Sequence, residues 1–277
     1  MLGKLFKKLS GGKQLTPSGP SRDCALIRSY LGCECEYIPA GTDPDDVRKR
    51  FSEAEIRCTG EQTIPVLISV SDNLTETLFD NAGIDLPDGD TIPADDLEKI
   101  SGFRAGLITQ CADTQAEDFL RTRVAETAED EEFDLEEEWG GDEIYFEFAR
   151  DSFSSPFDYD TGKSGELLLA RIPASEPWHI AAWLPMGGWN ECPAPEDMLA
   201  MAKRWYEKYR AVICCVTSDE MEFRVSTPPT GMEEAYALAK EQYYFCQDRV
   251  EQYADEYNLR TLADTLTKSP LWYFWWD

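Results

Sequence analysis

One histidine, His179, serves the whole 277-residue chain. Any Ser-His-Asp or Cys-His mechanism must therefore run through it. Cys192 follows after a Pro/Gly-rich loop, and a Cys192/His179 pair oriented by Asn190 or Glu191 is the sharpest nucleophile–base arrangement on offer. The plainer reading makes His179 a structural residue and Cys192 a packed thiol ahead of Pro193. There is no G-x-G-x-x-G, and Gly11-Gly12 and Gly140-Gly141 lack the strand–turn–helix context of a phosphate loop. The sequence therefore implies no cofactor.

The segment GGWNECP, residues 187–193, admits two readings. In the first, its glycines allow positive φ and close backbone approach, Trp189 anchors the loop, and Asn190 and Glu191 satisfy backbone groups. In the second it forms a ligand or partner pocket, floored by aromatics and polarised by Asn190, Glu191, Arg224 and Asp277. Arg224 would then stand opposite a carboxylate.

Metal-ligand spacing is weak throughout. DYDTGKSGE offers Asp158, Asp160 and Glu166, but lacks the glycine and bidentate acid of a calcium loop, and reads as a strand-to-strand turn. None of the nine cysteines forms C-x-x-C, and Cys24, Cys33, Cys35 and Cys58 match no zinc pattern. Reduced thiols and a cytoplasmic location are expected. Cys214 and Cys215, inside AVICCV, read as small buried hydrophobes.

The charge is the strongest compositional signal: 54 acids against 26 bases, a formal net charge of −28. Such a surface repels nucleic acid and attracts basic proteins, chiefly by steering. No stretch reaches the ~18 apolar residues of a membrane-spanning helix. Leu2, Leu5, Phe6 and Leu9 do fall at helical spacing beside Lys4, Lys7 and Lys8, the pattern of a short basic amphipathic helix that can touch anionic lipid.

These residues must be positioned by elements that the periodicity outlines. Residues 1–22 form the basic tail and a Pro/Gly/Ser linker. In the 23–125 region, Thr42–Asp46 starts a helix, TIPVLISV reads as a buried strand, Ser71 or Asp72 caps the next helix, and Pro93–Asp96 opens another. Residues 126–142 hold the acidic run, nine acids in the thirteen residues Glu126–Glu138, expected as solvated linker. In 143–277, strands are expected at 144–149, 167–172, 178–184, 210–216 and 221–225, and helices at 196–209, 259–266 and from a Thr230/Glu233 capping box. Alternating strands and helices give a mixed α/β fold, a layered sheet flanked by helices.

LWYFWWD, residues 271–277, completes the pattern. As a strand it points Trp272, Phe274 and Trp276 to one face and Tyr273 and Trp275 to the other, so it is expected buried in the sheet.

Four segments together resemble a known family: AAWLPMGGWNECP at 181–193, WYEKY at 205–209, TPP at 227–229 followed by Glu234-Ala235, and WYFWWD at 272–277. In this order the region at about 167–277 is similar to the bacterial domain of unknown function DUF4253. TIPVLISVSDNLTETL is similar to a segment that many such proteins carry ahead of that domain. The resemblance implies a bacterial setting and supplies no activity. The leading functional expectation is a non-catalytic binding protein whose acidic surface docks on a basic protein partner, a toxin neutraliser being one concrete version. The alternatives are an enzyme or small-ligand binder using GGWNECP, and a peripheral membrane protein held by its first nine residues.

Overall fold

A computed structural model describes residues 19–128, 134–141, 150–252 and 257–277. The basic segment at 2–9 and the strand expected at 144–149 lie outside the described residues. The first half runs α1 (Arg22–Leu31), β1 (Glu34–Ile38), α2 (Pro44–Glu61), β2 (Ile64–Ser69), α3 (Asp72–Asn81), α4 (Ala94–Gln110), α5 (Gln115–Thr127) and α6 (Leu135–Trp139). The second runs β3 (Leu167–Ile172), a single 3-10 turn (Pro177–His179), α7 (Ile180–Trp183), α8 (Pro195–Tyr209), β4 (Ala211–Val216), β5 (Glu220–Val225), α9 (Met232–Phe245), α10 (Asp248–Glu251), α11 (Leu259–Lys268) and β6 (Leu271–Trp275).

The helix starts follow their caps. Ser71 accepts from the Leu74 amide at 3.2 Å and opens α3, and Asn258 accepts from Thr261 at 2.8 Å and opens α11. Asp43, ahead of Pro44, caps α2, which runs on to Glu61 and closes at Gln62 in the left-handed region. The Thr230/Glu233 capping box does not form: α9 opens at Gly231 with no side-chain cap.

Residues 178–184 correct the expected strand. Pro177 starts the 3-10 turn and Ile180, Ala181 and Ala182 are buried in succession, a run without the alternation of a half-buried strand. Short apolar runs are ambiguous for that reason, and packing of α7 against α4, α8 and β4 decides the outcome.

The six strands form one mixed sheet in the order β1-β3-β2-β4-β5-β6. All neighbours are antiparallel except β2 and β4, where Leu67 and Ile68 register in parallel with Cys215 and Val216. Strands from before and after the acidic run share this sheet, so the 23–125 and 143–277 segments divide the sequence texture without dividing the sheet. Alternation sends Val66 and Ile68 into a thick layer under the helices, while Leu67 faces a thinner layer built from α2 and Phe153.

β6 is one edge of the sheet among the described residues, and its faces are unequal. Trp272, Phe274 and Trp276 are buried in the thick layer around Trp205, which stacks on Phe274 at 5.3 Å; Tyr273 and Trp275 are half-buried. Its outward carbonyls would be an open pairing template, but each has a donor. Ser269 Oγ donates to Leu271 at 2.7 Å, the Arg249 guanidinium to Tyr273, and the Cys246 thiol to Trp275 at 2.9 Å.

Candidate functional site

Because β2 and β4 run in parallel, the loops leaving them open side by side at one end of the sheet. Crevices outside the carboxyl ends of such strands are where open α/β sheets place ligands. Here the crevice is a groove of about 400 Å³. One wall is α3, through Asn73, Glu76, Thr77 and Asp80; the opposite wall is the β4–β5 turn, Ser218 and Asp219; Trp189, Trp275, Trp276 and Asp277 complete it. Four carboxylate side chains thus surround three indoles. Among the described residues no lysine or arginine forms an ion pair with Glu76, Asp80, Asp219 or Asp277. Asp219 is held in place by the Thr217 and Ser218 hydroxyls at 3.0 and 2.9 Å.

The loop that presents Trp189 is built by its two glycines. Gly187 has φ +94° and Gly188 φ +80°, and a Cβ on Gly187 would lie 2.1 Å from the Pro193 carbonyl oxygen. The Gly188 amide donates to the carbonyl of Pro193 at 3.0 Å, closing the turn. Asn81, at the end of α3, donates through Nδ2 to the carbonyls of Pro185 at 2.7 Å and Gly187 at 3.1 Å. Asn190, itself at φ +44°, donates through Nδ2 to the Asp277 carbonyl oxygen at 2.8 Å. Loop, α3 and the end of β6 are thereby tied into one frame.

The residues expected to make one pocket are distributed over three places. Trp189, Asn190 and Asp277 come together at the groove. Glu191 turns away and pairs with Arg123 of α5 at 2.8 Å. Arg224 is not opposite Asp277: it registers with Leu271 at the far end of β6, pairs with Glu55 of α2 and lies 5.6 Å from the centre of the Phe51 ring. Antiparallel pairing fixes that separation, since Glu220 at the other end of β5 is the residue beside Trp275.

Cys192 and His179 have separate surroundings. Cys192 is buried under the loop, its thiol pushed well up by burial, with Cys246 as its charged-state neighbour. His179 is buried in the 3-10 turn, its Nδ1 3.1 Å from Ser175 Oγ and its ring edge-on to Trp178, and burial lowers its pKa. Among the described residues no hydrogen bond joins the two, and neither lines the groove. Asp158 of the DYDTGKSGE turn accepts from the Thr161 amide and hydroxyl at 2.8 and 2.7 Å, as a turn residue does, and no group of three or more metal-ligating side chains is present among the described residues.

Sequence reading missed Glu76, Asp80, Asp219 and the pairing role of Asn81. The available signal was TIPVLISVSDNLTETL, which spans β2 and the α3 face; what it lacked was the knowledge that β2 lies beside β4.

Comparison with known proteins agrees with the resemblance at the carboxyl-terminal end. Residues 168–277 match the family model described as Domain of unknown function (DUF4253). No curated protein and no solved structure matches the chain. The matched region supplies Trp189, Asp219 and the end of β6, and α3 from outside it supplies Glu76 and Asp80. No described helix is long and apolar enough to cross a membrane.

Proposed function

We propose that this protein is a non-catalytic binding protein that takes a cationic segment of a basic protein partner into the groove between α3, the β4–β5 turn and the end of β6. One observation carries the reading: four carboxylates that pair with no lysine or arginine among the described residues surround three tryptophans in a preformed crevice. An arginine or lysine side chain meets both needs of such a site. Its charge answers the carboxylates, and its flat or tapered stem lies on indole, where each cation–π contact contributes about 0.5–2 kcal/mol. The net charge of −28 adds long-range steering toward the same class of partner. The residues with nucleophile or base chemistry, Cys192 and His179, lie outside the groove, which is why docking is preferred to catalysis.

Titrating an arginine/lysine-rich peptide into the full chain, with tryptophan fluorescence as readout, tests this. Binding should weaken severalfold between low salt and about 0.15 M, where screening shortens to roughly 8 Å. Glu76→Gln with Asp80→Asn should weaken it about tenfold or more while leaving the fold intact, since among the described residues neither side chain has a hydrogen-bond or ion-pair partner. Equal affinity in parent and variant would assign the attraction to overall surface charge and overturn the groove.

A further inference from the structure

The groove has a cationic segment within reach on its own chain. Residues 1–18, MLGKLFKKLSGGKQLTPS, lie outside the described residues; they hold Lys4, Lys7, Lys8 and Lys13 and none of the 54 acids. In a chain of net charge −28 that is a local reversal of sign. The first contacts after Gly19 fix where the chain enters the fold. The Ser21 amide donates to Glu166 Oε1 at 2.8 Å, and the Glu166 carbonyl accepts from the Val70 amide at 2.8 Å. Val70 follows directly on β2, so the chain enters at the carboxyl end of β2, the same end of the sheet on which the groove opens.

Distance and charge both favour this pairing. Val70 is three residues ahead of Asn73, where the groove wall begins, at most about 11 Å of chain. Residues 10–18, extended, reach up to about 30 Å, enough to carry Lys4, Lys7 and Lys8 across the groove. Acids of the 126–138 run are already engaged: Glu126 pairs with Arg123 at 3.3 Å, and Glu136 pairs with Lys240 at 3.1 Å and accepts from the Tyr236 hydroxyl at 2.6 Å. The groove carboxylates pair with no lysine or arginine among the described residues, and they stand beside three indoles. A lysine-rich segment that also carries Leu5 and Phe6 answers both features, charge to carboxylate and apolar side chain to indole.

We propose that the chain's own lysine-rich segment, residues 4–13, occupies the acidic groove and competes there with the basic partner, an autoinhibitory contact. The inference rests on the groove reading and adds its regulation. Tethering supplies the strength. At an effective concentration on the order of 1 mM, a segment of only about 0.1 mM intrinsic affinity fills the groove about nine-tenths of the time and weakens an outside ligand about tenfold. A partner must therefore bring more cations or more contact than the four lysines do, which selects strongly basic partners over weakly basic ones.

Two measurements on the full chain test this. In the first, an arginine/lysine-rich peptide is titrated into the parent and into Lys4→Gln/Lys7→Gln/Lys8→Gln/Lys13→Gln. The variant should bind about tenfold more tightly, and that gain should vanish when Glu76→Gln and Asp80→Asn are added. In the second, a carbodiimide condenses lysine amines with adjacent carboxylates, taking up the water as a urea, and the products are mapped by proteolysis and mass spectrometry. Intrachain links from Lys4, Lys7 or Lys8 to Glu76 or Asp80 are expected. Peptide binding of equal strength in parent and lysine variant, with no such links, would overturn the inference and leave the groove reading standing. Binding to neither protein, again without links, would remove the groove reading along with it. Links that join two chains, links to the 126–138 run in place of the groove, or a lysine-dependent hold on phosphatidylserine vesicles without groove links would each sink the autoinhibitory contact.

Discussion

Asn190 Nδ2 donates to the Asp277 carbonyl oxygen at 2.8 Å, across 87 residues of chain. This bond joins a loop in the left-handed backbone region to the chain leaving β6, and Asp277 and the neighbouring Trp189 border the acidic groove. The sequence placed these residue types in reach of one another; the pairing shows what Asn190 does there. Asparagine tolerates φ +44° better than most residues and still carries a donor.

Asn190→Ala loses the donor and bears the cost of the left-handed conformation. Together these should destabilise the protein by about 1–2 kcal/mol. Asn190→Gly keeps the conformation and loses the bond, so it should cost about 1 kcal/mol or less. Urea unfolding of the two variants measures the difference; equal losses would mean that backbone conformation contributes nothing at this position.

Gly187 and Gly188 both have positive φ, yet their substitutions should differ sharply. An alanine Cβ at 187 would overlap the Pro193 carbonyl oxygen, a backbone atom fixed by its bond to the Gly188 amide. At 188 the nearest atom is Asn81 Oδ1 at 3.6 Å, an ordinary contact. Gly187→Ala is therefore expected to cost about 3 kcal/mol or more, and Gly188→Ala only the ~1–2 kcal/mol of conformational strain. The groove should follow: peptide binding fails in the first variant and survives in the second.

How much of this was legible beforehand depends on what each residue needed. The two-sided aromatic alternation of LWYFWWD identified β6, because period two is local and strong. The positive-φ loop and its link to Asp277 were also legible, since Gly-Gly-Trp-Asn demands such a backbone. Arg224 was not, because its partner is set by strand register: β5 and β6 run antiparallel and carry Arg224 to Leu271 and α2. His179 was misplaced on a strand because a four-residue apolar run has too little length to separate period two from a buried turn. Glu76 and Asp80 read as ordinary exposed helix residues until the parallel β2–β4 pair brought α3 over the end of β6.

Neighbouring positions on β6 should separate stability from binding. Trp272 is fully buried, edge-on to Trp205 at 5.8 Å and to Tyr209 at 5.5 Å. Trp272→Ala should cost about 3–5 kcal/mol, a large part of a typical folding free energy, and deletion of 271–277 should leave no soluble folded protein. Trp275 is half-buried and borders the groove, so Trp275→Ala should unfold at nearly the parent urea midpoint and lose peptide affinity severalfold. A Trp275→Ala protein with unchanged affinity would remove that indole from the binding surface.

Glu220 makes a pH prediction whose sign is opposite to that of a surface carboxylate. Burial raises its pKa from 4.5 to about 7, with Asp219 and Glu222 pushing the same way and the hydrogen bond from Tyr273 and the charge of Arg150 opposing. The folded state thus binds the proton more tightly than the unfolded chain does. Its contribution is fully present below pH 4.5 and is lost as pH rises toward 7, because unfolding then releases the proton. Because the carboxyl keeps some contact with water, roughly 1–2 kcal/mol is expected across that window. Glu222, raised by burial on the same strand, adds a slope of the same sign, whereas the salt-bridged carboxylates add the opposite one. The measurement is therefore a difference. Urea unfolding at successive pH values should show Glu220→Gln gaining stability relative to the parent as pH rises through the window, and parallel curves for the two proteins would refute the assignment.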